Sequence, residues 1–255
     1  MHIVESVFLF LLGASFGSFF NVAGMRIPAG KSVVRPHSAC NECGEQIRGA
    51  DLLPIAGWLM QRGRCRHCGS RISPLYLLSE VATGAAFAIL PHVISDWREL
   101  TVGYLLVSLL AVLTVSDLTY RLLPNKIVFP AMLAFLLLRI FVHPLPFWEY
   151  MVGFVVGGGM LYAVSLGAVL LKKPAMGGGD IKLMALLGMI LGGKLVLLAI
   201  LISALTGTLT GMFLIACKII DRRTFIPFGP FIALGGFLSF LVGEPVIAWY
   251  LGLFL

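Results

Sequence analysis

Four cysteines, two aspartates and a glutamate stand out in a chain of 255 residues that is otherwise mostly apolar. Cys40-x-x-Cys43 and Cys65-x-x-Cys68 are separated by 21 residues. Two such hairpins are the usual way for a short segment to offer four thiolates in a tetrahedron to zinc. Gly44 and Gly69 directly follow the pairs and suit the tight turn that aims backbone amides at the sulfurs. His37 and His67 lie nearby as bystanders, because four cysteines already close the shell. Two disulfides are the alternative, and a cytoplasmic placement argues against them. Cys217 reads as a packed free thiol within an apolar run.

Glu80, Asp117 and Asp180 are acids within or at the ends of apolar segments, where they are costly and usually functional. Asp117 closes one such segment. Pro124 and Asn125 follow it, and Asn125 is expected to cap the next helix. Asp180 follows Gly177, Gly178 and Gly179 and opens a further apolar run that contains Lys182. The glycines let the backbone bend and would admit an extended substrate strand. Two carboxyl groups at one depth, with oxygens about 3 Å apart, cannot both ionise. One keeps a proton and polarises a peptide carbonyl; the other takes a proton from the attacking water. The plainer alternative is that these acids cap helices or pair with Arg121, Lys126 or Lys182, since an Asp at a helix N-terminus is favoured by the dipole alone.

The elements that must carry these residues are membrane spans. The chain is 59% apolar and 12% charged, with a mean hydropathy of +0.98, whereas soluble domains carry about twice that charge fraction. Candidate spans run over 3–24, 75–94, 99–117, 125–143, 148–171, 181–192, 194–217 and 228–243, with a last apolar tail over 245–255. Gly192-Gly193 would join the short sixth span to the seventh. The first span lacks a basic n-region and is expected to be retained rather than cleaved as a signal peptide. With the N-terminus outside, the inner loops hold 16 of the 19 Lys and Arg residues, and only Arg98, Arg139 and Lys194 are left over. That bias sets the orientation and places both aspartates at the cytoplasmic face. The net charge of +7 then reflects retention of basic residues at the inner surface. Arg48, Arg62, Arg64, Arg66 and Arg71 are expected to meet anionic lipid headgroups, and nucleic acid is not an expected partner. The glycines at 157–159 suit close helix packing.

Four blocks in order carry a resemblance that covers nearly the whole chain. They are GASFGSFFNVAGMRIP from Gly13 to Pro28, the two cysteine pairs enclosing LLPIAGWLMQRGRC, DLTYRLLPN from Asp117 to Asn125, and GGGDIK from Gly177 to Lys182. The sequence resembles the type IV prepilin peptidase family, most closely the competence-type leader peptidases of Gram-positive bacteria. The GxGD signature alone is shared with presenilin-like proteases; the order of the four blocks is specific. The resemblance implies that Asp117 and Asp180 are catalytic and that the substrates are type IV prepilins or pseudopilins, cut at the cytoplasmic face behind a short basic leader. Many members then methylate the new N-terminus with S-adenosylmethionine, an activity attributed to the cytoplasmic loop region. Here Leu75 and Leu77 replace a family Arg and Pro, and Ala50-Asp51 stands where many members carry Glu-Asn. Both departures fall in the region tied to methylation and leave the peptidase blocks intact. Glu80, which matches the family, could instead be structural, pairing with Arg71 or another arginine of the loop.

The expected fold is therefore an all-α, multi-pass protein of the plasma or inner membrane, with about eight transmembrane helices. Residues 1–24 form the first span, 25–74 a cytoplasmic four-cysteine zinc-binding loop domain, and 75–255 a multi-span aspartyl peptidase domain. Two other functions compete. An ion-coupled transporter could use the acids as a relay, but leaves the cysteines without a role. A membrane-anchored binding module would dock a partner through the zinc loop and dispense with the aspartates.

Overall fold

The computed structural model describes residues 3–40, 42–172, 176–221 and 224–253. Lys173, Arg222 and Arg223, which enter the charge count, and the end of the apolar tail lie outside the described residues. Among the described residues the regular structure is helical, with two isolated β-bridges and no strand. The helices are α1 (Ile3–Arg26), α2 (Ala56–Met60), α3 (Pro74–Val93), α4 (Trp97–Tyr120), α5 (Asn125–Phe141), α6 (Phe147–Leu170), α7 (Gly178–Leu191), α8 (Gly193–Ala216) and α9 (Gly229–Gly252). All but the short α2 correspond to the eight expected spans. Six of them, α1, α3, α4, α6, α8 and α9, are long and apolar enough to cross a membrane, so the chain is a multi-pass membrane protein. The other two are shorter: α5 has 17 residues and α7 has 14. At 1.5 Å per residue α7 is about 21 Å long, less than the roughly 30 Å hydrocarbon core.

The chain divides into two compact units, Met1–Ser116 and Asp117–Leu255. In the first, α1 packs along α3 through small residues. A Cβ on Gly13 would lie 2.7 Å from that of Phe87, and one on Gly17 would lie 3.0 Å from the Cα of Glu80. Asn21 of α1 is buried there, accepts a 2.6 Å hydrogen bond from the Ser79 hydroxyl and donates to the Tyr76 carbonyl. Polar side chains that bond across helices suit a contact without water, which accounts for the position of Asn21 in an otherwise apolar block.

In the second unit α7 is central: every residue from Leu183 to Leu191 is buried. It is flanked by α5, α6, α8 and α9. The crossing with α6 is made by glycine on both sides, for a Cβ on Gly188 would run into the Gly153 carbonyl and one on Gly153 into the Gly188 carbonyl. Of the expected packing glycines, Gly157 meets Met184 and Gly158 meets Ala185, while Gly159 faces open space. Gly188→Val is expected to force α6 and α7 apart at a cost of at least about 1–3 kcal/mol, the usual penalty for overpacking. A lower unfolding temperature in detergent would show it; unchanged unfolding would contradict the close crossing.

Two expectations are corrected here, for the end of α9 and for Cys217, and Arg139 gains a definite place. Arg139, left over by the charge count, is a buried side chain of α5. Its Nε and Nη2 donate to the Ile190 carbonyl at 3.1 and 2.6 Å, and its guanidinium stacks over the Tyr150 ring. The last carbonyls of a helix have no partner within it, and inside a membrane they need one. The α9 helix runs on through Pro245 to Gly252 instead of stopping at 243, because freed backbone groups in a membrane helix are satisfied locally. Cys217, at the end of α8, is exposed on the chain rather than packed.

Candidate active site

Asp117 lies in the last turn of α4, buried to 5% exposure. The amide of Arg121 closes that turn on the Asp117 carbonyl at 2.8 Å, and Arg121 itself takes a left-handed φ of 53°, which ends the helix. Leu122, Leu123 and Pro124 then lead into α5. Gly179, on the first turn of α7, packs on this connection, for a Cβ there would come within 3.0 Å of the Leu123 Cβ. Asp180 follows directly, with its amide on the Gly177 carbonyl at 3.1 Å. The segment between Asp117 and α5 thereby packs against the first turn of α7, which carries Asp180.

The glycine run behaves differently from the expected bend. Gly178 and Gly179 already belong to α7, and Gly177 precedes it with an ordinary extended backbone. What two of the three positions need is space. A Gly177 side chain would come within 3.3 Å of Asp180 Oδ2, a Gly179 side chain would strike Leu123, and the position at Gly178 opens onto free space. Asn125 is corrected as well. The residue ahead of α5 is Pro124, and no side chain caps the helix. The Asn125 amide oxygen instead accepts a 2.9 Å hydrogen bond from Lys182 Nζ, which also sits 5.1 Å from the Phe129 ring centre. Lys182 thus ties the start of α7 to the start of α5.

One contributor was missed from the sequence. The backbone N–H of Gly229, the first residue of α9, donates a 2.8 Å hydrogen bond to Asp117 Oδ2. Gly229-Pro230 ahead of an apolar run does signal a helix start, but nothing in it points to an acid more than 100 residues away.

The four cysteines of the first unit form one cluster, with all four sulfurs within 4.8 Å of one another. Cys40 and Cys68 Sγ are 3.8 Å apart, the edge expected of a tetrahedron with Zn–S bonds of about 2.3 Å. Two matching hairpins build it. Cys40 N–H bonds to Glu45 and Gly44 N–H back to Cys40; Cys65 N–H bonds to Ser70 and Gly69 N–H back to Cys65. Gly44 and Gly69 take φ of 71° and 72°, the conformation that favours glycine. The Ser70 hydroxyl, followed by the amides of Cys43 and Glu42, pulls the Cys40 thiol down to about 6. The Cys43 thiol goes up to about 12, because the favourable Glu45 amide is outweighed by lost solvation and by the Cys68, Cys40 and Cys65 sulfurs. Thiols packed this closely resist joint ionisation unless a cation lies between them. The donor set can hold a metal ion, and it fits zinc.

Glu80 is buried to 6% exposure on α3, and its Oε2 accepts a 2.7 Å hydrogen bond from the Ile55 N–H, not from an arginine. Ile55 has φ of 62°, uncommon for a β-branched residue, and stands directly ahead of α2 in the segment between the cysteine pairs. Glu80→Leu is expected to leave that amide unpaired, costing about 1–3 kcal/mol. Amide exchange over 55–60 should quicken in Glu80→Leu and be largely restored in Glu80→Gln, whose side-chain oxygen still accepts; equal exchange in the two variants would count against the bond.

Two family models match successive parts of the chain. Residues 11–94 match the bacterial peptidase A24 N-terminal domain, and residues 104–212 match the type IV leader peptidase family. The chain is 35% identical over 243 residues to the prepilin leader peptidase/N-methyltransferase of Bacillus subtilis (strain 168), covering 95% of this chain and 96% of that one. Proteins of the same name are similar in Klebsiella pneumoniae, at 41% over 72% of this chain and 84% of the relative, and in Aeromonas hydrophila, at 33% over 95% and 84%. No solved structure matches the chain.

Proposed function

The chain belongs to the type IV leader peptidase family, and from that membership we propose that it removes the leader from prepilins or pseudopilins with Asp117 and Asp180 as its catalytic pair. The observation that carries this reading is the packing of Gly179 on Leu123, which sets the start of α7, with Asp180, against the segment that follows Asp117. One carboxylate takes a proton from water as it attacks the scissile carbonyl, and the protonated partner donates to the carbonyl oxygen. The leaving amine then takes up a proton, and the leader ends in a new carboxylate. The open space at Gly178 would let the substrate backbone approach beside Asp180. The charge bias puts this chemistry at the cytoplasmic face of the plasma or inner membrane, with the N-terminus outside. Lys182, Pro124 and Asn125 act as supports that hold the starts of α5 and α7 together.

Zinc at Cys40, Cys43, Cys65 and Cys68 is proposed as structural. With four sulfur ligands no position is open for a substrate or water, so the ion holds the loop and takes no part in cleavage. S-adenosylmethionine enters through the relatives' shared name. The recess beside the first hairpin is lined by Arg35, Pro36, His37, Ala39, Gly44 and Gln46. These residues include no carboxylate for the ribose hydroxyls and ammonium group of such a donor, so the recess by itself does not assign its site.

The test is mass spectrometry of a pilin-like precursor after incubation with the purified protein. A product shortened by its basic leader is expected, and a precursor of unchanged mass would overturn the reading. The same spectrum reads methylation of the new N-terminus. A transporter would leave both family matches and the cysteine cluster unexplained.

A further inference from the structure

The geometry points to Gly229 as a positioning residue for Asp117, an inference that rests on the peptidase reading above. A helix begins with amides that have no partner within it. At the start of α9, Pro230 has no N–H, and the amides of Phe231 and Ile232 both return to the Phe228 carbonyl at 3.1 Å. The Gly229 amide is thereby left for an outside acceptor, and it takes Asp117 Oδ2 at 2.8 Å.

The residue type follows from space rather than from backbone freedom. Gly229 is not among the glycines with positive φ, so its backbone would admit other residues. Its surroundings would not. A Cβ at 229 would lie 2.7 Å from Asp117 Oδ2 and 3.0 Å from both Asp117 Cβ and Cγ. Gly229 is buried, as is Asp117, so the acid could not swing into water to make room. The bond ties down one carboxylate oxygen and stops rotation about Cβ–Cγ. That rotation would otherwise decide which oxygen meets the reacting water. The active site is accordingly built from three helices, α4, α7 and α9, and not only from the two that carry acids.

Cleavage kinetics on a pilin-like precursor test this. In Gly229→Ala, kcat is expected to fall about a hundredfold with KM within about threefold, since a small misplacement of a catalytic group costs on that order. Replacing the Gly229 residue by glycolate turns the amide into an ester. It adds no side chain; it removes the donor and weakens the Phe228 carbonyl as an acceptor without removing it, so it serves if the alanine variant does not fold. There kcat should fall about tenfold to a hundredfold with KM unmoved. Native kcat in a folded form of either variant would overturn the inference, as would a change confined to KM. Asp117→Asn separates the two levels. If it still cleaves, the peptidase reading itself has failed; if it is inactive while the ester variant runs at the native rate, only the role of Gly229 is lost.

Discussion

Asparagine in place of Asp117 or of Asp180 is expected to leave prepilin substrates uncut while the protein still inserts and folds. Asn has the size of Asp and can still accept the Gly229 hydrogen bond through its amide oxygen. It can neither take a proton from water at neutral pH nor carry one to a carbonyl. General acid–base catalysis contributes about a hundredfold to ten-thousandfold for each positioned group. If the two carboxyl groups act as one unit, as proposed, removing one is expected to cost nearly as much as removing both. The double variant should therefore be no slower than either single one, with each below the native rate by about a thousandfold or more. The measurement is the rate of leader removal from a co-expressed or purified precursor. Normal maturation in either single variant would sink the dyad, and a double variant far slower than both would show that the acids act separately.

Cys40→Ser is expected to release the metal and unfold the segment from 25 to 74. Between α1 and α3 the described residues of that segment form a short helix, a 3-10 turn and two isolated bridges. A segment so small buries too little apolar surface to fold alone. Structural zinc in small domains supplies about 10–16 kcal/mol at neutral pH, far more than the segment's own contacts. Metal analysis should give about one zinc per chain in the native protein and little in the variant. Limited proteolysis should then cut the variant within the loop at sites protected in the native protein. A native protein without metal whose loop resists protease would show that the sulfurs are held together by something other than zinc. Both readouts concern the first unit alone, so the outcome is independent of the aspartate experiment.

Some of this was legible because the spacing of residues settles it locally. Two Cys-x-x-Cys-Gly hairpins need only a few residues each to form, so the cluster could be read from the chain. Long apolar runs in a membrane have one economical backbone, the helix, and all eight expected spans are helical. The two aspartates were recognisable as costly exceptions to that pattern. Other points failed for equally physical reasons. Asn125 matched a cap by position, but the cap depends on a side-chain rotamer, and the ammonium group of Lys182 claims its oxygen instead. Arg139 was left without a place by the charge count, which cannot see that α7 stops short and leaves its last carbonyls to be paired. Glu80 had several arginines within reach in sequence terms, yet its partner is the backbone amide of Ile55.

By itself, the amino-acid sequence determined the membrane class, the metal-binding pattern and the family, and it singled out the two acids proposed as the catalytic pair. Each depends on composition or on spacing along one short stretch. Only the tertiary structure decided that Gly179, beside Asp180, meets Leu123 beyond the end of α4, that a glycine at the start of α9 holds Asp117, and that an arginine of α5 finishes α7. Those contacts join residues separated by 50 to more than 100 positions. They depend on how several helices fit against one another at once, which no single stretch of chain encodes.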